Sequence, residues 1–211
     1  YFINNHIKVV HPKRGLVKFE LYPFQIEIVE ALQSNRFNVL KKFRQAGCTT
    51  LAAAYSLWKA TFTKHQTIPI LSKGEAESTE LLERIKIMYE ELPAYLQVGI
   101  KERNKHTFRL MNGSIIKSRA SSKEAGRSLA GSLLIIDEAA FIEHIDTIWA
   151  AAYPTISTGG AAFVLSTVNG MGNFFHHLVR DSENNDNEFK LINIKWEDHP
   201  EYKRHPGYED L

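Results

Sequence analysis

A chain of 211 residues, 44% hydrophobic and 24% charged, can bury a sizeable core as one large domain or as one domain with a small appendage. Its single cysteine, Cys48, excludes an intrachain disulfide and suits a reducing compartment, and no apolar run approaches the roughly 20 residues of a membrane-spanning helix. A formal net charge of +2 predicts no partner by itself, so any polyanion-binding surface must come from local clustering.

The first residue is Tyr1 and no signal peptide opens the chain, so a fragment of a longer protein is expected. Residues 1–20 mix short apolar stretches with Lys8, Lys13, Arg14 and Lys18, interrupted by Pro12 and Gly15; an extended N-terminal arm is expected. Pro23 suits a first helical turn, and Ile26, Val29 and Leu32 recur at helical spacing, predicting a helix over 23–33. Tyr22, Phe24 and Gln25 at its start resemble the adenine-recognising Q motif of helicase-like ATPases, where an amide reads the base edge and a ring packs on it. The plainer alternative is an aromatic staple closing a helix start.

A strand over 37–43 and an Ala-rich helix over 51–63 flank the loop Arg44-Gln45-Ala46-Gly47-Cys48-Thr49-Thr50. Strand, short glycine loop and helix opening on threonines form the setting in which backbone N–H groups hold anionic oxygens. Against G-x-x-x-x-G-K-[ST], only Gly47 and Thr49 match, because Lys42 stands where the first glycine belongs and Cys48 where the lysine belongs. An ordinary strand-to-helix turn remains the alternative on this segment alone. A strand over 67–72 and an amphipathic helix over 75–91 follow, with Leu81, Leu82, Ile85, Met88 and Tyr89 inward. Residues 107–111 and 114–118 around Asn112-Gly113 read as a hairpin with a type I′ turn. Residues 121–131 have loop composition, with Arg127 alone among small neighbours.

Leu133-Leu134-Ile135-Ile136 has no polar alternation, the pattern of a strand buried on both faces in a parallel sheet. Asp137 and Glu138 stand at its end, where open α/β sheets bind ligands. The pair resembles a Walker B motif with an adjoining catalytic glutamate, the first acid binding Mg²⁺ and the second polarising a water; an acidic helix N-cap is the alternative. A helix over 146–152 leads to a strand over 161–165 that ends in Ser166-Thr167-Val168-Asn169-Gly170, polar groups suited to sensing a phosphate. A helix over 173–179, a polar loop over 182–187, a strand over 189–196 and a charged, linker-like tail complete the chain. No internal repeat is visible, and no His, Cys or carboxylate set has metal-ligand spacing.

In this order the motifs predict an α/β fold, a P-loop NTPase of the additional-strand, catalytic-glutamate type. Its mainly parallel central sheet would be flanked by helices and carry a β-hairpin insertion. From Leu21 to about Trp196 the chain resembles the N-terminal ATPase domain of the large terminase subunit of tailed bacteriophages, particularly the phage T4 type. The resemblance rests on Arg44-Gln45-x-Gly47-x-Thr49-Thr50, Leu92-Pro93 with Leu96-Gln97-x-Gly99-Ile100, and Asn112-Gly113-Ser114. It continues through Ala120-Ser121-Ser122, Asp137-Glu138-x-Ala140-Phe141-Ile142 and Ser166-Thr167-x-Asn169-Gly170.

The resemblance implies a motor that couples ATP hydrolysis to translocation of double-stranded DNA into a viral procapsid. Residues 21–196 would be the ATPase domain, 1–20 an arm, and 197–211 the start of a linker to a nuclease domain absent here, so no DNA cleavage is expected. Tyr22, Phe24 and Gln25 would contact adenine. Arg44, Gln45, Ala46, Gly47, Cys48, Thr49 and Thr50 would wrap the phosphates, Thr49 and Asp137 would hold Mg²⁺, and Glu138 would be the general base. Ser166, Thr167 and Asn169 would couple hydrolysis to domain motion, and Arg127 would be an arginine finger acting on a neighbouring subunit. The implied partners are the portal protein, the small terminase subunit and a homo-oligomeric ring, commonly a pentamer, docked on the procapsid in the host cytoplasm. The isolated domain would be a monomer with weak ATP binding and slow hydrolysis.

Because Cys48 replaces the loop lysine, Arg44, together with Lys41 or Lys42, is expected to supply the missing charge. Independently of any family, a thiol at a helix N-terminus beside cations is expected to have a depressed pKa and raised reactivity. Two alternatives share these residues: a helicase-like nucleic-acid translocase, and a degenerate P-loop module that does not hydrolyse nucleotide.

Overall fold

The computed structural model describes residues 1–122 and 125–202, and for Arg127 and Ser128 the backbone alone. The short helix α1 (Phe2–His6) and the antiparallel hairpin β1 (Lys8–His11) and β2 (Gly15–Lys18) open the chain. An extended arm was the expectation for this segment. It folds back instead because Phe2, Ile3 and Ile7 are apolar enough to enter the core, where they are 8%, 6% and 0% exposed.

The helix α2 (Pro23–Ser34) leads into β3 (Phe37–Lys41), then α3 (Cys48–Phe62), β4 (Thr67–Leu71) and α4 (Glu75–Glu90). Next come β5 (Ile100–Arg103), β6 (Thr107–Leu110) and β7 (Ile115–Arg119), followed by β8 (Leu133–Asp137), α5 (Ile145–Ser157), β9 (Ala161–Ser166), α6 (Phe174–Glu183) and β10 (Lys190–Asn193). Eight strands form one sheet in the order β10-β3-β9-β8-β4-β7-β6-β5. It is parallel from β10 through β7, and β6 and β5 are added antiparallel at one edge.

The sheet is covered on both faces. Leu133 and Ile135 of β8 join the core under α2, α3 and α4, whereas Leu134 and Ile136 join the one under α5 and α6. Successive side chains of a strand point to opposite faces, so an unbroken apolar run is what a central strand between two helical layers needs. In α3, Ala52, Ala53 and Ala54 are all fully buried, which lets that helix lie close against both the sheet and α4.

Three local details differ from expectation. The turn between β6 and β7 is not type I′, which needs positive φ at both central residues; Gly113 alone has it, at 87°. Asn112 is held otherwise, its Nδ2 donating to the Ala60 carbonyl at 2.8 Å and its Oδ1 accepting from the Ser114 N–H at 3.0 Å. Strand β5 extends the sheet beyond the expected hairpin, its pairing with β6 shifting register between Ile100 and Glu102. Helix α5 runs through Pro154 to Ser157, although an interior proline forfeits a backbone hydrogen bond and crowds the carbonyl four residues earlier; burial of Ala152 and Ile156 on either side of it offsets that cost.

After β10 the chain turns back over the body. His199, 6% exposed, stacks among Tyr22, Phe24, Phe43 and Tyr202, with ring centroids 4.5 Å from Tyr22 and 4.6 Å from Tyr202.

Candidate functional site

Parallel pairing brings the carboxyl ends of β3, β9, β8 and β4 into one row. Lys41 pairs with Ser166, Asp137 with Leu165, and Leu71 with Ile136. The residues just past those ends, Lys42, Thr167, Glu138 and Ser72, therefore share one side of the molecule. A cleft of about 450 Å³ opens there. It is lined by the loop residues Gln45, Ala46, Gly47, Cys48, Thr49 and Thr50, by Lys42, Asp137 and Glu138 at the strand ends, and by Ser72, Lys73 and Arg84, whose guanidinium donates to Thr50 Oγ1 at 3.2 Å.

The loop is shaped for an anion. Gly47 is the N-cap of α3 with φ 70°, a left-handed value that glycine adopts without penalty. The helix consequently begins at Cys48 rather than at Leu51, and Thr49 and Thr50 fall in its first turn, where unpaired N–H groups and the helix dipole favour negative charge. Gln25 holds this loop from behind. Its Nε2 donates to the Ala46 carbonyl at 3.0 Å, its Oε1 accepts from the Tyr22 N–H at 3.1 Å, and the residue is 1% exposed. The amide expected to read a base is thus spent on the loop's own backbone; Phe24 is buried and Tyr22 only partly exposed.

The acidic pair faces the loop. Thr49 Oγ1 donates to Asp137 Oδ2 at 3.0 Å, and the Glu138 N–H donates to Asp137 Oδ1 at 3.0 Å. Burial pushes the Asp137 carboxyl above the usual carboxylate range, against the pull of Lys42 and with a further push from Glu138. Glu138 has φ 53° and ψ 44°, a left-handed conformation that a non-glycine residue holds at a cost of about 1–3 kcal/mol and that clusters at functional sites. Lys42 Nζ lies 2.6 Å from Glu138 Oε1, its side chain 7% exposed. Glu138 Oε2 receives weaker contacts at 3.4 Å from Ser166 Oγ and from the N–H and Oγ1 of Thr167. Ser166 Oγ also accepts from the Ala140 N–H at 3.1 Å, and Asn169 Nδ2 donates to the Ala140 carbonyl at 3.1 Å. The Ser166, Thr167 and Asn169 strand end is thereby bonded to the Glu138 segment.

Of the cations expected to replace the missing lysine, Lys42 lines the cleft itself, and Arg44 borders an adjoining hollow that shares Lys42, Gln45, Lys73 and Glu138 with it. One expectation changes. The Cys48 thiol, expected to be acidic and reactive, is 2% exposed, and burial pushes its pKa up to about 12, opposed by Lys42 and reinforced by Asp137. Charge and helix terminus favour a thiolate, but loss of solvent outweighs both. Arg127 lies on the turn Ala125–Ser128, and its side chain is outside the described residues. Ser72, Lys73 and Arg84 went unnoticed in the sequence; the signal was available, since Ser72-Lys73 follows the apolar run of β4 just as Asp137-Glu138 completes that of β8.

The donors fit Mg²⁺. Among the described residues no group of three or more His, Cys, Asp or Glu is gathered. One carboxylate beside one threonine hydroxyl is the sparse oxygen set with which Mg²⁺ is usually held, water and phosphate oxygens completing its shell.

A mostly parallel central sheet flanked by helices, whose glycine loop and acidic strand end converge on one cleft, defines an α/β protein of the P-loop NTPase fold. The relatives are specific. The family model for the N-terminal part of the T4likevirus-type terminase large subunit matches residues 40–207, and the chain belongs to that family. The probable terminase large subunit gp28 of Escherichia phage Mu is 30% identical over 87 residues, 41% of this chain and 16% of that protein; the chain thus matches only a small part of that relative.

Solved structures agree on the fold. The large terminase of bacteriophage HK97 superposes with a TM-score of 0.72 at 17% identity, over 91% of this chain and 42% of that one. The ATPase domain of the Thermus phage P74-26 large terminase gives 0.67 at 18%, over 88% and 85%. The large terminase of a thermophilic bacteriophage, in complex with ADP, gives 0.63 at 14%, over 84% and 46%.

Proposed function

We propose that this chain is the ATPase motor domain of a DNA-packaging terminase, binding and hydrolysing ATP with Mg²⁺ to drive double-stranded DNA into a procapsid. The observation that carries the reading is the convergence of Thr49, Asp137, Glu138 and Lys42 on one cleft at the N-terminus of α3. The large terminase of the thermophilic bacteriophage was solved with ADP, in keeping with a nucleotide here.

Backbone N–H groups of residues 47–50 would hold the phosphates, and Lys42 would supply the cation that Cys48 cannot, with Arg44 contributing from the rim. Thr49 and Asp137 would hold Mg²⁺, which when bound neutralises charge on the phosphate oxygens. Glu138 would take a proton from water attacking the terminal phosphate. Lys42 pairs with Glu138, and a phosphate competing for that lysine would free the carboxylate as base. Because Thr167 contacts Glu138 and Asn169 holds Ala140, movement of Glu138 is passed to the loop after β9, the coupling role assigned to Ser166, Thr167 and Asn169.

The same reading takes residues 21–196 as the ATPase unit, extended by the N-terminal Phe2, Ile3 and Ile7 that join its core and by His199 packed on Tyr22 and Phe24, and keeps Arg127 as the finger reaching a neighbouring subunit. It takes duplex DNA, a portal protein, a small terminase subunit and a ring of copies of this chain as partners. Replacing Glu138 with Gln tests it. Mg²⁺-dependent phosphate release in the presence of duplex DNA should fall by about 100-fold or more, while a fluorescent ATP analogue binds within about threefold of wild type. Equal rates for the two proteins would refute the assignment.

A further inference from the structure

At the end of β4 stands a buried hydroxyl to which the mechanism above gives no task. Ser72 is 1% exposed, and its Oγ has no hydrogen-bond partner among the described residues. Leaving such a group unsatisfied costs about 1–3 kcal/mol, and native structures tolerate it chiefly where a ligand or an ordered water completes the bond. Other orphaned atoms exist, among them Asn38 Oδ1, Thr61 Oγ1 and His176 Nδ1. Ser72 differs from those three in bordering the cleft.

Its position narrows what completes it. Leu71 pairs in parallel with Ile136, so Ser72 and Asp137 follow at adjacent strand ends. Thr49 Oγ1 and the Glu138 N–H already bond Asp137, and Ser72 lines the same cleft as Thr49 and Asp137, the oxygens best suited to a divalent cation. A serine hydroxyl can donate one hydrogen bond and accept two, which matches a water that is itself polarised by a metal. Mg²⁺ retains several waters when few protein oxygens bind it, and outer groups that hold such ligands set metal affinity.

We propose that Ser72 is a positioning residue of the metal–nucleotide site, its hydroxyl holding a water in the shell of the cation bound by Thr49 and Asp137. This rests on the ATPase reading and adds a member to its site. It also assigns the end of β4 a part in binding, alongside the loop after β3 and the end of β8.

The test is a Mg²⁺ titration of fluorescent ATP-analogue binding to wild type, Ser72→Ala and Asp137→Asn, with metal-free binding in EDTA and thermal unfolding recorded for each. The Mg²⁺ concentration at half-saturation should rise by about tenfold in Ser72→Ala, with metal-free affinity unchanged and the melting temperature of the ligand-free protein no lower than that of wild type. A merely structural serine would lower the melting temperature and leave the Mg²⁺ dependence alone. Half-saturation within twofold of wild type in Ser72→Ala, while Asp137→Asn loses its Mg²⁺ dependence, overturns the role of Ser72 and spares the ATPase reading. Mg²⁺ dependence retained in Asp137→Asn overturns both.

Discussion

Replacing Lys42 with methionine keeps a buried aliphatic stem and deletes the charge, which isolates the electrostatic part of its role. Two effects follow. Removing one partner of a fully buried ion pair costs about 3–5 kcal/mol. The Glu138 side chain, however, is 26% exposed and keeps contacts from Ser166 and Thr167, so solvent screening reduces the loss to about 1–2 kcal/mol. For a domain of this size that is a fall in melting temperature of about 2–8 °C. The effect on nucleotide is separate. A hydrogen bond to a charged group contributes about 1.5–3 kcal/mol, and wild type must give up the 2.6 Å contact with Glu138 to make it, which places the net loss near the lower figure. At about 1.4 kcal/mol per decade, Lys42→Met should bind an ATP analogue about 10-fold more weakly. Arg44→Ala, changed at the rim, should lose no more than about threefold. Fluorescence titration of both variants, with thermal unfolding as the control for folding, decides the matter. A larger loss in Arg44→Ala than in Lys42→Met would show that the loop arginine supplies the charge and that the cleft lysine only restrains Glu138.

Two further outcomes are expected. Cys48, buried with its pKa pushed up to about 12, should resist iodoacetamide in the folded protein. Its labelling rate should stay far below that of the urea-unfolded protein throughout pH 7 to 9, because the folded-state thiol is shielded and overwhelmingly protonated in that range; mass spectrometry showing rapid native labelling would contradict the burial. At Gly47, φ is +70° and an added Cβ would stand 2.8 Å from Gln25 Nε2, an amide already committed to Ala46. Gly47→Ala should therefore destabilise the fold by about 1–2 kcal/mol, readable as a lower urea midpoint with an unchanged slope; an unchanged midpoint would mean the loop relaxes freely.

Much of the architecture is legible in the sequence. Unbroken apolar runs marked the central strands β8 and β9, helical spacing marked α2 and α4, and the glycine loop before α3 lay between recognisable elements. The N-terminal helix and hairpin escaped notice because residues 1–20 carry no clean periodicity, and their order comes from Phe2, Ile3 and Ile7 finding a core made by later segments. The hairpin turn was mistaken because Asn112 answers to Ala60 and Ser114 and not to its own local preference.

At the site, residue types and motif order could be read locally, but the state of each group could not. Lys42 and Glu138 meet across 96 positions of sequence, and Thr49 and Asp137 across 88. Whether Lys42 or Arg44 faces the cleft depends on how the chain leaves β3 and turns at Gln45, with φ 63°. The Cys48 thiol was misjudged for the same reason: its charged neighbours could be listed from the sequence, but its removal from water depends on what packs around it. Periodicity and turn chemistry act between residues a few positions apart and so belong to the sequence. Solvation and charge pairing depend on groups distant in the chain, and only the tertiary structure could decide them.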